Sequence, residues 1–268
     1  MSSIKSEIAS EPSAPRNDNV VPNGTAKSVV IASRASSAKQ SQVPASTIRK
    51  YFDSIAVRYD FLNNFLSFKL DEIWRKRAMK RVIEPRQEAI LDLGVGTGKF
   101  LDLFAHAKPW KRMVGLDFST GMLQTARPQL SPKTQWVSAD FQFLPFAEQT
   151  FDLVISAFTL RSVKNMPLFL KEIHQVLKPQ GKTGLICLTR PRNFFWKILY
   201  YPYLKFYLPL IGGLFSGNKE AYRFLSSSIM SFQDPEKTAA MMKEAGFQEV
   251  SLHYFSFGMA TLLIGKKQ

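Results

Sequence analysis

The run Leu91-Asp92-Leu93-Gly94-Val95-Gly96-Thr97-Gly98 decides how this 268-residue chain is read. It closes the apolar stretch 89–93 and opens the helical pattern 99–108. Glycine at alternate positions lets the chain turn sharply and brings backbone amides close to a ligand at a helix N-terminus. Taken alone, the pattern also suits an ordinary tight turn. A dinucleotide fingerprint starting at Gly94 requires glycine at position 99, where this chain carries Lys99, so pyrophosphate binding loses support.

Outward from this run, short apolar stretches at 113–117, 135–140, 151–158 and 183–189 alternate with helical patterns at 120–130 and 165–177. A helix at 236–244 then leads into strands at 249–255 and 259–265. Strands alternating with helices spell an α/β domain built on a parallel sheet. The second strand ends in Asp117, placed either to accept both hydroxyls of a ribose or to cap the next helix, a task open to Ser119 as well. The third ends in Asp140-Phe141, which offers an acceptor for an adenine amine and an aromatic face for its ring, or forms a plain strand-end turn. The glycine loop, Asp117 and Asp140 thus top three successive strands, where open α/β sheets bind ligands.

Composition narrows the class. The chain is 45% hydrophobic and 21% charged, enough for one core-bearing domain with a tail. No apolar run reaches the eighteen or so residues of a membrane-spanning helix. The single Cys187 excludes an internal disulfide and a cysteine-rich zinc site, and His106, His174 and His253 are too scattered for a metal pair, so no metal is expected. Residues 1–45 hold no Phe, Trp or Tyr and are expected to form a disordered tail ahead of a domain over 46–268. The apolar patch 29–32 is too short for a secretory signal. An organelle transit peptide stays open, with Glu7, Glu11 and Asp18 against it. The net charge of +15 sits almost wholly in the domain and favours an anionic partner.

Once the flanks are included, the arrangement resembles the class I S-adenosylmethionine-dependent methyltransferases. More narrowly, it resembles the ubiquinone/menaquinone biosynthesis C-methyltransferases of the UbiE/MenG type. The resemblance is carried by residues 59–67 with Trp74, by Leu160-Arg161-Ser162-Val163, by Val176-Leu177-Lys178-Pro179, by 221–229, by Ala245-Gly246-Phe247 and by the ending 258–266. It covers roughly residues 50–267. The chain departs from the family's usual residues at Asp71, Lys99, Ser162, Gln180 and Cys187.

The resemblance implies a three-layer Rossmann-like fold with a seven-stranded, mostly parallel sheet whose last strand is antiparallel. It implies S-adenosyl-L-methionine as cofactor, held by Asp92, Gly94, Gly96, Thr97, Gly98, Asp117, Asp140, Phe141 and Ala157. The implied reaction is methylation of a ring carbon of a polyprenyl hydroquinone, with Arg161 stabilising phenolate charge and Tyr59 or Asp60 as candidate proton acceptors. Guanidinium stays protonated in proteins, which argues against Arg161 as the base. Segment 46–84 is expected to cap the site.

Segment 191–232 is expected to be an aromatic insert touching either the substrate tail or a membrane interface, or simply packing over the sheet. Between Phe194 and Phe215 its only charges are Lys197 and Lys205. With Arg75, Lys76, Arg77, Lys80 and Arg81, these lysines could hold the protein to anionic lipid, each contributing about 1 kcal/mol near such a surface. The expected location is peripheral on a membrane, at the cytoplasmic inner face or the matrix side of an organelle. A quinone-biosynthesis assembly or a homodimer is an open partner. Nucleic acid is not expected, since no such motif accompanies the charge. The alternatives are a methyltransferase for another small lipophilic molecule and a cofactor-binding scaffold without activity.

Overall fold

The computed structural model describes residues 29–31, 64, 66–126, 134–216 and 219–268. A central sheet with helices on both faces organises them. Its strands are β1 (Val29–Ile31), β2 (Ala89–Leu93), β3 (Arg112–Asp117), β4 (Thr134–Ser138), β5 (Phe151–Ala157), β6 (Leu177–Leu188), β7 (Gln248–Phe255) and β8 (Ala260–Lys266), in the order β1-β4-β3-β2-β5-β6-β8-β7. Parallel pairing runs from β1 to β6, and β8 enters antiparallel between β6 and β7. The strand order reverses beside β2, the switch point at which doubly wound sheets open a crevice.

Alternation along the strands feeds two cores. Ala89, Leu91 and Leu93 face one side with Val137, Leu185 and the helix residues Phe169, Ile173 and Met242. Ile90 faces the other side with Trp74, Val82, Phe104 and Trp136. A strand buried on both faces reads as a continuous apolar run, which is why 89–93 was legible without any periodicity. Helices α1 (Leu70–Val82), α2 (Lys99–Ala107), α3 (Thr120–Ala126), α4 (Met166–Val176) and α8 (Pro235–Glu244) cover the faces. Packing is close where α1 crosses β6: a Cβ on Gly184 would lie 2.7 Å from Val82 Cγ1.

Two expectations change. Val29–Ile31, inside the stretch read as a disordered tail, pairs in parallel with β4 and adds an eighth strand at the sheet edge. Strand β6 starts at Leu177 rather than Thr183, through an irregularity around Gln180 at φ 62°.

The aromatic insert becomes α5 (Phe194–Pro202), a π-helical turn at Tyr203–Tyr207, α6 (Leu208–Ser216) and α7 (Lys219–Ser231). Pro202, the last residue of α5, has no amide to bond back one turn, and the chain passes there into the wider π turn. That turn is held from α7 by Ser226 Oγ, which donates to the Leu204 carbonyl at 2.6 Å. From the other side, Tyr203 Oη donates to the Leu66 carbonyl at 2.6 Å, tying the insert to the chain entering α1. Among the described residues no helix is long and apolar enough to cross a membrane.

Candidate active site

The glycine loop turns at the carboxyl end of β2. Gly94, Gly96 and Gly98 take φ values of 70°, 56° and 89°, the left-handed region that favours glycine. The amides of Gly94 and Val95 donate to the Leu116 carbonyl at 2.8 and 3.0 Å, locking the loop against β3. A Cβ on Gly94 would fall 2.4 Å from Thr159 Oγ1, whereas one on Gly96 would meet only open space. Gly94 is therefore required by packing, and Gly96 leaves room for a ligand over the backbone.

Asp117, at the end of β3, accepts from the Gly96 amide at 2.8 Å and from the Ser119 amide at 2.9 Å. A carboxylate only accepts hydrogen bonds, which suits the hydroxyls of a ribose. The helix-capping alternative goes to Ser119, whose Oγ accepts from the Met122 amide at 3.1 Å. Gly94, Gly96, Asp117, Phe118, Met122, Ala157 and Arg161 border one narrow pocket at this end of the sheet. Thr97 and Gly98 complete the turn into α2 and do not border it.

Two expected cofactor residues stand apart from that pocket. Asp140 is exposed, and its Oδ1 accepts from the Gln142 amide at 2.9 Å, so it shapes the strand-end turn. Phe141 is 4% exposed and packs edge-on against Phe118 and Phe169. Among the described residues, two aromatic side chains do border the pocket: Phe118, one residue after Asp117, and Phe158, one residue after Ala157. Asp92 lies beneath the loop, wholly buried. Burial drives its carboxyl up to about 8, against the pull of the Arg75 guanidinium and with the Asp117 charge adding to the rise. Tyr59 and Asp60 fall outside the described residues.

Beside this pocket opens a larger cavity of about 430 Å³, walled by α1, the π turn, α7 and the end of β5. Leu66, Leu70, Trp74, Leu204, Leu225 and Met259 make most of its lining apolar. Phe158 and Arg161 border both spaces. Arg161 sits on a short 3-10 turn, Leu160–Ser162, and donates from Nη1 to Ser228 Oγ at 3.1 Å. Phe158 adopts φ 63°, a strained conformation for an aromatic residue, with its amide bonded to the Ile186 carbonyl at 2.7 Å. Sequence reading missed Phe118 and Phe158, although each directly follows a residue it selected.

Polar ends of strands around a glycine loop fit an adenosyl group: a carboxylate for the ribose diol, apolar Phe118, Met122 and Ala157 for the base, and glycine backbone beneath the amino-acid portion. Among the described residues, no cluster of His, Cys, Asp or Glu could hold a metal ion.

The ubiE/COQ5 methyltransferase family profile matches residues 38–267. The chain belongs to that family. Among curated relatives, a demethylmenaquinone methyltransferase of Thermotoga maritima is 39% identical, over 81% of this chain and 94% of its own. A ubiquinone/menaquinone biosynthesis C-methyltransferase UbiE of Geotalea uraniireducens is 37% identical, over 82% and 96%. Solved structures confirm the fold. A SAM-dependent methyltransferase of Thermotoga maritima aligns with TM-score 0.59 at 18% identity, over 82% of this chain and all (100%) of that one. A Haemonchus contortus phosphoethanolamine N-methyltransferase 2 in complex with S-adenosyl-L-methionine aligns with TM-score 0.58 at 15% identity, over 82% of this chain and 60% of that one. Like these class I methyltransferases, the family member described here has a mostly parallel sheet with one antiparallel strand, β8.

Proposed function

We propose that this ubiE/COQ5 family methyltransferase methylates a ring carbon of a polyprenyl hydroquinone in ubiquinone or menaquinone biosynthesis. The observation that carries the reading is the meeting of the glycine-loop pocket and the oily cavity at Phe158 and Arg161. One space combines the Asp117 carboxylate and glycine backbone with apolar Phe118, Met122 and Ala157 and suits the methyl donor; the other is apolar and within the size range of small-molecule sites. S-adenosylmethionine, when bound, supplies a methyl group on a sulfonium.

The ring carbon becomes a nucleophile as its neighbouring hydroxyl gains phenolate character. Arg161 is fixed by Ser228 and permanently charged, and it stabilises that oxygen at the boundary. The apolar walls exclude water, which strengthens this interaction and favours in-line approach. Gly94, Gly96, Asp117 and Ala157 border the cofactor side, with Asp92 beneath the loop.

The domain works on a membrane surface. Phe194, Phe195, Phe206 and Leu214 on the insert are 77%, 68%, 64% and 74% exposed, an apolar face too large for water alone. Leu199 is exposed on the same face yet lines the cavity, so the cavity opens where a lipid tail would enter. Lys205 lies over the Phe206 ring at 5.5 Å, and Lys76, Arg77, Lys80 and Arg81 are exposed on α1, an arrangement suited to anionic lipid.

The test is methyl transfer to a demethylated prenyl hydroquinone by wild type and Arg161→Ala. Turnover should fall at least a hundredfold in the variant while cofactor affinity stays within about threefold. Cofactor binding by wild type with no turnover on any such hydroquinone would refute the reading in favour of a scaffold.

A further inference from the structure

Besides Arg161, the oily cavity is lined by an ion pair that its apolar walls do nothing to explain. In the first two turns of α1, Asp71 and Arg75 stand four residues apart on the inward face and are 5% and 8% exposed. Arg75 Nη1 donates to Asp71 Oδ2, and Ser67 Oγ donates to Asp71 Oδ1 at 2.6 Å. The guanidinium lies 4.8 Å from the centre of the Phe158 ring, so the pair stands beside the residue that separates the two spaces. Asp71 is the only carboxylate lining the cavity among the described residues.

A buried ion pair gains little stability over apolar side chains of similar size, because desolvation offsets its attraction. Its place in an otherwise oily wall therefore points to a ligand. An ionised carboxylate only accepts hydrogen bonds and has about four lone-pair positions. Arg75 and Ser67 occupy two, and the remainder can take a donor from the cavity. A hydroquinone offers a hydroxyl donor; the oxidised quinone presents a carbonyl at the same place, which can only accept. Facing Asp71, the quinone would set acceptor against acceptor and leave the carboxylate without its partner, the kind of mismatch on which polar sites discriminate most strongly.

We propose that Asp71 is a specificity-determining residue that binds a ring hydroxyl of the substrate and selects the reduced hydroquinone over the quinone. Arg75 and Ser67 hold the carboxylate in place. The inference rests on the hydroquinone reading above. It also implies that a two-electron reduction of the ring must precede methylation.

The test is equilibrium dialysis under argon with a demethylated short-prenyl hydroquinone and its oxidised quinone as separate probes. Wild type should bind the hydroquinone at least tenfold more tightly. Asp71→Asn places an amide that can donate to a carbonyl, so the preference should vanish or reverse. Because that change leaves the Arg75 charge unbalanced and could impair folding, the double variant Asp71→Leu/Arg75→Met accompanies it, replacing the pair by apolar side chains. This variant should keep wild-type cofactor affinity by calorimetry and bind both ring forms within about threefold of each other. A folded variant that keeps the tenfold preference overturns the role of Asp71 and leaves the hydroquinone reading standing. Wild type binding neither ring form overturns that reading itself, and this inference with it.

Discussion

Replacing Asp92 by asparagine should change how stability depends on pH, by an amount the structure sets. Asp92 is wholly buried at the end of β2, where the Leu101 amide and the Arg75 charge offset only part of the cost of burying its carboxylate. Its carboxyl is pushed up to about 8, chiefly by burial. In the unfolded chain an aspartate ionises near pH ~4. Between about pH 4 and pH 8 the native state therefore keeps one proton that the unfolded state has released. Stability must fall as pH rises across that window, by up to about 1.4 kcal/mol for each pH unit, and level off above it.

Asparagine does not titrate, so the variant lacks this slope. Urea unfolding in steps from pH 5 to pH 8 should show the stability of Asp92→Asn gaining on wild type by about 3 kcal/mol between pH 5 and pH 7. Glu84, Asp152 and Glu236, whose carboxyls are held low, and His174 and His253, lowered first by burial, are common to both proteins and cancel in the difference. Parallel stability curves for the two proteins would show that Asp92 is ionised in the fold and would refute the argument.

Two further outcomes are expected. Asp117→Ala removes the acceptor for the Gly96 and Ser119 amides at the pocket, and calorimetry should record cofactor affinity at least tenfold weaker; an unchanged value would take Asp117 out of the site. On the outer face, wild type should float with vesicles containing anionic lipid and much less with neutral ones, and Phe195→Ser/Phe206→Ser should abolish flotation. A double variant that still floats would place the membrane contact elsewhere.

The sheet was legible because strands β2, β3 and β5 are largely apolar on both faces, so composition alone marked them. The loop at 94–98 was legible because left-handed backbone demands glycine. Asp140 and Phe141 do not border the narrow pocket, and a strand-end Asp followed by an aromatic looks the same in sequence whether it faces a ligand or turns the chain. The run Arg75, Lys76, Arg77, Lys80 and Arg81 read as a single basic surface, but helical rotation divides it. Arg75 shares the inward face with Asp71, Trp74, Ala78 and Val82, while the other four point to solvent. The spacing of Asp71 and Arg75 carried a pairing signal, yet nothing local says that a pair is buried until the cavity beside it is built from segments more than a hundred residues away in sequence.

The backbone angle at Phe158 sets durability against chemistry. A glycine there would relax the twist and by that measure toughen the fold, yet it would remove the ring that stands between the wet chamber and the dry one. Selection for heat resistance alone should therefore drift toward a hardier protein whose two compartments leak into each other, and a lineage that keeps its activity must go on tolerating one contorted residue.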